Sequence, residues 1–255
     1  MIDPFHLEAY GETTVNYNRD VEIFPVLNTI FEKIYGESPY KSPTDMGVNM
    51  AGNCICDDEA CREASKQEII RRYFDALNAL AKGSTSEKEA QKIELLMNMA
   101  GITVTDRKVV IKALERAKET DGPAAALELR DGRIITGKTT NLLGASAALL
   151  LNVLKVLAGI DHETHIISPE SIEPIQKLKV DYLKSKNPRL HTDEVLIALS
   201  ASAATNPQAH LALSQLPELA GCQAHTSVML SDVDIKIFKK LEVQLTSEAV
   251  YEHAL

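Results

Sequence analysis

The stretch Gly132-Arg133-Ile134-Ile135-Thr136-Gly137-Lys138-Thr139 matches, position for position, the Gly-x-x-x-x-Gly-Lys-Ser/Thr pattern of a phosphate-cradling loop. In such a loop, backbone amides and a helix N-terminus converge on the phosphates. Lys138 would reach the terminal phosphates and Thr139 would hold a magnesium ion. The flanks suit that reading, because residues 124–129 have strand character and residues 142–158 read as a buried helix. Local chemistry argues for something else. Asp131-Gly132 is a two-residue hairpin signal. Ile134, Ile135 and Thr136 are β-branched and prefer a pleated strand to backbone bent around an anion. The sequence therefore favours two antiparallel strands, 124–129 and 134–136, joined at 130–133. The second carboxylate that a metal–phosphate site requires has one candidate, Asp232, after Val228-Met229-Leu230-Ser231.

Other polar clusters carry chemistry of their own. Lys138, Thr139 and Asn141 lie between the second strand and a helix start, where free amides and a cation make an anion site even without the full loop. The alternative there is a helix cap by Thr140 or Asn141. The run Ser185-Lys186-Asn187-Pro188-Arg189-Leu190-His191-Thr192-Asp193-Glu194 puts Arg189 and His191 ahead of a helix capped by Thr192. Arg189 can fork onto a carboxylate or phosphate, and His191 can serve in acid–base work. Asp193 and Glu194 at that helix start repel an anion, and pairing of Arg189 and His191 with them is the structural alternative. Asp45 and Asn49 lie in a long turn-rich segment, 37–53, and are candidates to close over a ligand. His162, His165 and His225 read as structural. Cys54, Cys56, Cys61 and Cys222 have a spacing that fits no zinc knuckle, so they read as reduced thiols and no metal is expected. No Gly-x-Ser-x-Gly elbow occurs.

These residues need a scaffold, and 255 residues with 45% hydrophobic content suffice for one large domain or two small ones. A net charge of −9 and the lack of a basic stripe argue against nucleic-acid binding. No secretion signal is visible at Met1–His6, and the most apolar run, 142–160, carries Lys155 and reads as a buried helix rather than a membrane span. A cytoplasmic location is the default. Helices are expected from Pro25 to Gly36, from Asp57 to Lys82, from Ser86 to Gly101 and from Thr105 to Gly122. After Pro123 the pattern becomes hairpin, helix, strand 164–167, helices from Ser168, Thr192 and Pro207, strand 224–230, helix 232–241 and strand 243–246. The expected division is an extended segment 1–17, a helical module 18–122, and an α/β module 123–255 with a mixed sheet.

Several strings resemble an uncharacterised bacterial family catalogued only as a domain of unknown function: Ile2–Asp20, Ser42-Pro43-Thr44-Asp45-Met46-Gly47-Val48-Asn49, residues 63–73, Ile135-Thr136-Gly137-Lys138-Thr139 and Ser185-Lys186-Asn187-Pro188-Arg189-Leu190-His191. The resemblance spans nearly the whole chain. It implies members about twice this length, with a further Rossmann-like N-terminal half, so that this chain is their C-terminal portion. It also implies that the α/β module is a three-layer α/β/α fold of cytidine-deaminase-like topology. The chain departs from deaminases where their zinc chemistry resides, since the expected first helix begins Leu143-Gly144-Ala145-Ser146-Ala147 and no Cys-x-x-Cys occurs. Together the residues point to an enzyme fragment binding a phosphorylated or nucleotide-like small molecule through Lys138, Thr139, Asn141, Arg189, His191, Asp45 and Asn49. No particular cofactor or reaction is indicated. The alternative is a non-catalytic structural or oligomerisation module, in which the chain pairs with copies of itself or docks to a separate N-terminal half.

Overall fold

The computed structural model describes residues 17–39 and 58–252. The chain divides into two compact units, Met1–Arg107 and Lys108–Leu255. In the first, helices α1 (Tyr17–Tyr35), α2 (Asp58–Ala81) and α3 (Glu87–Ala100) precede a short 3-10 turn, Val104–Asp106. α1 starts eight residues before the expected Pro25, which sits inside it, and the Thr29 hydroxyl donates to the Pro25 carbonyl at 2.8 Å. α3 ends at Gly101, whose φ of +65° is the left-handed conformation that lets the last carbonyls be satisfied. Ile69, Ile70 and Phe74 of α2 and Leu96 and Met97 of α3 are buried. Thr103 caps this short turn with Asp106, and Thr105, expected to cap the next helix, lies inside the turn instead.

In the second unit, α4 (Lys108–Thr120) leads into β1 (Ala124–Glu128) and β2 (Ile134–Lys138), and then α5 (Ala145–Leu157). There follow α6 (Pro169–Lys177), a π turn at Leu178–Tyr182, α7 (Thr192–Ala203), α8 (Pro207–Leu213), β3 (Gln223–Thr226), α9 (Asp232–Lys240) and β4 (Gln244–Ser247). The four strands form one mixed sheet in the order β2-β1-β3-β4, with β1 antiparallel to both neighbours and β3 parallel to β4. Strand alternation separates two faces. Ala126 meets Val109 and Ala113 of α4, while Ala125 and Leu127 enter the main core with Leu149, Leu150 and Leu154 of α5, Val195 and Leu199 of α7, and Phe238 of α9. The α/β architecture follows from the sequence pattern. The helix expected at 105–122 is α4, which packs on the sheet, and the second compact unit begins at Lys108.

Residues 132–139 form the end of the turn and the second strand of a hairpin with β1. Glu128 pairs with Ile134 and Ala124 with Lys138, so these amides belong to a ladder and do not surround an anion. The loop has three residues rather than two: Gly132 N donates to Leu129 O at 2.9 Å, Leu129 N donates to Arg133 O at 2.9 Å, and Gly132 takes φ +83°. That is a type I turn closed by a left-handed glycine, which the glycine permits at little steric cost. Gly137 has a different role. A Cβ there would lie 2.2 Å from the backbone nitrogen of Leu149, so only glycine lets α5 lie this close to β2. Residues 164–167 are not a strand. Ile166 and Ile167 are buried in the core without a ladder partner, so the apolar run is explained by packing alone. No described helix is long and apolar enough to cross a membrane.

Candidate functional site

The carboxyl ends of β2, β3 and β4 lie at one end of the sheet, beside the start of β1. Three segments are tied together near that end, those before α5, α7 and α9. Leu143 and Leu190 form a parallel bridge, Leu190 N donates to Leu142 O at 2.9 Å, and Gly144 N donates to Leu190 O at 3.2 Å. The segment before α5 therefore runs beside the segment before α7. The start of α9 joins them, because Asp234 accepts from Thr192 N at 2.9 Å. The N-termini of α5, α7 and α9 thus open onto a single pole of the unit.

The predicted residues of the second unit gather there. Lys138 ends β2 and is exposed. Thr139 N continues the ladder to Pro123 O at 2.8 Å, and its Oγ1 is buried with no hydrogen-bond partner among the described residues. Thr140 Oγ1 accepts from Leu142 N and Leu143 N, capping its own turn, while the N-cap of α5 itself is Gly144. Asn141 is exposed, and its carbonyl accepts from Gln176 Nε2 at 3.0 Å. Arg189 reaches across, donating from Nε to Thr140 O at 3.1 Å and from Nη1 to Glu252 Oε1 at 2.6 Å. Asp45, Asn49, Cys54 and Cys56 lie outside the described residues.

His191, not Thr192, is the N-cap of α7. Its Nδ1 lies 2.9 Å from Asp234 Oδ2. Asp234 is buried, at 3% exposure, and accepts also from Thr192 N at 2.9 Å, Thr192 Oγ1 at 2.8 Å and Ser231 Oγ at 2.8 Å. Burial pushes the Asp234 carboxyl up, but the bonds from His191, Thr192 and Ser231 outweigh it and hold the group at about 2. The hydrogen bond to Asp234 in turn raises the His191 pKa above its ordinary value, against the opposing effect of burial. The structural alternative, side-chain pairing of Arg189 and His191 with Asp193 and Glu194, is not what is observed: Arg189 pairs with Glu252 and the His191 ring with Asp234. Asp193 Oδ1 accepts from Glu194 N at 2.8 Å. Glu194 Oε2 accepts from His191 N at 2.8 Å and from Lys179 Nζ at 2.7 Å. Acids in the first turn of a helix are taken up by its own unsatisfied amides.

Lys179, Ser231, Asp234 and Glu252 are parts of this pole that sequence reasoning missed. Lys179 is buried, and its Nζ also donates to Arg189 O at 2.6 Å. It stands in the π turn, where Leu183 N reaches back five residues to Leu178 O. Nothing in the local sequence announces that turn. Ser231 and Asp234 do carry a signal, since Ser-x-x-Asp is a helix-start pattern, and Ser231 Oγ accepts from Asp234 N at 3.2 Å. Among the described residues no group of three or more His, Cys, Asp or Glu is placed to hold a metal ion.

Comparison with known proteins gives matches to two family models, "Domain of unknown function DUF1846, N-terminal" over residues 1–101 and "Domain of unknown function DUF1846, C-terminal" over residues 105–255. A UPF0371 protein of Corynebacterium urealyticum is 58% identical over 251 residues, covering 98% of this chain and 50% of the relative. A UPF0371 protein of Streptococcus thermophilus is 54% identical over 253 residues, covering 99% of this chain and 51% of the relative. The chain spans about half the length of the curated relatives it matches. It belongs to the DUF1846 family, whose function is uncharacterised.

Proposed function

We propose that this chain is part of a cytoplasmic enzyme that binds a phosphorylated or nucleotide-like small molecule at the pole where α5, α7 and α9 begin. Lys138, Thr139, Asn141, Arg189 and His191 face the anion. The observation that carries this reading is convergence. Residues from two separate stretches, 138–141 and 189–191, meet at the carboxyl ends of the strands, where α/β folds bind their ligands. Helix N-termini favour anions, and the orphan Thr139 hydroxyl is a donor that a ligand oxygen would satisfy. Arg189 has donors beyond the two that it uses on Thr140 and Glu252.

The strand order β2-β1-β3-β4, with its antiparallel hairpin and parallel pair, supports the deaminase-like topology that the resemblance implies. It brings no zinc chemistry with it, because the start of α5, Ala145-Ser146-Ala147, offers no metal ligand. In this reading the chain is the C-terminal portion of a longer protein, and the part of the relatives' length that it does not span completes the site. A second reading, a structural or oligomerisation module, draws on Leu178, Tyr182 and Leu183, which are exposed apolar residues beside the pole.

Thermal stability of the purified chain against nucleotides and phosphorylated metabolites, with and without magnesium, tests the first reading. A ligand at a hundred times its Kd adds about 2.7 kcal/mol, a shift of roughly 5–10 °C in Tm. The shift disappears in Lys138→Ala. Absence of a shift with every compound overturns the ligand reading, and a chain that sediments as an oligomer then favours the second.

A further inference from the structure

We propose that His191 is the proton donor of this site, passing the proton on Nε2 to an oxygen of the bound phosphate, and that Asp234 is its positioning residue. The identity of the acceptor rests on the ligand reading above.

Asp234 has four donors directed at one carboxylate, from His191 Nδ1, Thr192 N, Thr192 Oγ1 and Ser231 Oγ. A carboxylate so surrounded accepts only. It therefore fixes the proton of His191 on Nδ1 and leaves Nε2 as the nitrogen that gains and loses a proton. Among the described residues Nε2 has no hydrogen-bond partner, and the side chain is 31% exposed. The hydroxyl of Ser231 is occupied by Asp234 and approaches His191 only at Nδ1, at 3.4 Å, so it is not a nucleophile served by this histidine. The backbone of His191 is held independently, by Glu194 Oε2 on its amide and by Lys179 behind Glu194.

Three charged groups act on the ring. Asp234 on α9 and Glu194 on α7 favour its cation, and Lys179 in the π turn opposes it. The carboxylates prevail, so the imidazolium persists to higher pH than that of an ordinary histidine and can donate. The proton moves from Nε2 to a ligand oxygen, and the neutral imidazole keeps its Nδ1 proton on Asp234. His225 shows the contrast within the same fold. It is fully buried, with Nδ1 at 2.8 Å from Thr246 Oγ1 and Nε2 at 3.3 Å from Glu248 Oε1, so neither nitrogen is open to a ligand. A purely structural His191 would look like that.

Nitrogen-15 NMR of histidine-labelled chain, titrated with pH and with inorganic phosphate, decides the matter, with sulfate as an anion that does not titrate in this range. In the wild type we expect the Nδ1–H tautomer when neutral, and a phosphate-induced shift confined to Nε2. His191→Gln should weaken phosphate binding roughly tenfold or more, the value of one hydrogen bond to a charged group. Asp234→Asn should lower the His191 pKa and mix its tautomers. His191→Gln changes a half-exposed side chain and serves if Asp234→Asn does not fold. If phosphate shifts backbone amides at 138–141 and 189–190 while the His191 ring and the His191→Gln affinity are unchanged, the proton-donor proposal is overturned and the ligand reading stands. If phosphate shifts nothing at the pole, both fall.

Discussion

Gly137→Ala separates the two readings of the Gly-Lys-Thr motif without any ligand. In the structure Gly137 lies in β2 beneath α5, and a methyl group there would meet Leu149 N at 2.2 Å, Leu149 Cα at 2.5 Å and Ala145 O at 2.9 Å. All three are backbone atoms, so no rotamer change relieves the contact. Ordinary contacts of a Cβ lie at 3.4–4 Å, and α5 would have to lift from the sheet by more than an ångström. That movement strains the Asn152 Nδ2 to Thr136 O bond, 2.9 Å long, and loosens a core built on Leu149, Leu150 and Leu154. Overpacking against yielding side chains costs about 1–3 kcal/mol, and against helix backbone the upper end or more applies. A loss of about 3 kcal/mol lowers Tm by roughly 6–12 °C for a domain of this size. Gly132→Ala is the control. It has φ +83° but open space around it, so it costs only the left-handed conformation, about 1–2 kcal/mol. Lys138→Ala, at an exposed position, stays within about 0.5 kcal/mol. Urea denaturation of the three variants gives the order directly. A Gly137→Ala chain as stable as wild type, or merely equal to Gly132→Ala, would refute the packing explanation and reopen the phosphate loop.

Further outcomes follow from the charged groups at the pole. The folded-state value of Asp234, about 2, is below its ordinary 3.8, so its contribution is present above 3.8 and is lost as pH falls through 2. The difference corresponds to about 2 kcal/mol, which should appear as an acid-side slope in urea midpoints of the wild type and be missing in Asp234→Asn. His191 acts in the opposite sense. Its raised pKa stabilises the fold fully below 6.5, and that contribution disappears as pH rises through the folded-state value, a dependence that His191→Gln should remove. Lys179→Met leaves Glu194 without its cation and Arg189 O without its donor. A loss of about 3 kcal/mol in denaturation is expected, the lower end for a broken buried pair because Glu194 is 24% exposed.

Much of the fold was readable because its signals are local. The hairpin announces itself through Asp131-Gly132 and the β-branched residues after it, and α7, α8 and α9 begin within a residue of their capping signals. The readings that failed depended on partners at a distance. Thr164-His165-Ile166-Ile167 has the composition of a strand, but a strand exists only where a neighbour supplies a ladder, and here the two isoleucines are buried by helices instead. Pro25 suggested a helix start, yet eight residues before it are helical, so the turn preceding a proline can be tolerated when the rest of the helix holds. The helix before β1 looked like the last of a helical series. Its apolar stripe, Val109 and Ala113, in fact serves Ala126 and Ile134 of the sheet, and nothing in an amphipathic pattern says which surface it will cover.

The site was half legible for a related reason. Arg189 and His191 stood out by type, and their neighbours Asp193 and Glu194 looked like natural partners because they are adjacent in sequence. Adjacency is what disqualifies them. Both acids lie in the first turn of α7, where backbone amides without intrahelical acceptors take up nearby carboxylates: Asp193 binds Glu194 N, and Glu194 binds His191 N. A histidine at a helix N-cap can therefore find a carboxylate for its ring only on another element. Here that element is α9, 43 residues on, whose own capping serine both positions Asp234 and takes one of its oxygens. The helix-start pattern Ser231-Asp232-Val233-Asp234 is visible, but its second acid can be understood as a partner for His191 only once the bridge between Leu143 and Leu190 and the bond from Thr192 N to Asp234 bring three helix starts to one place.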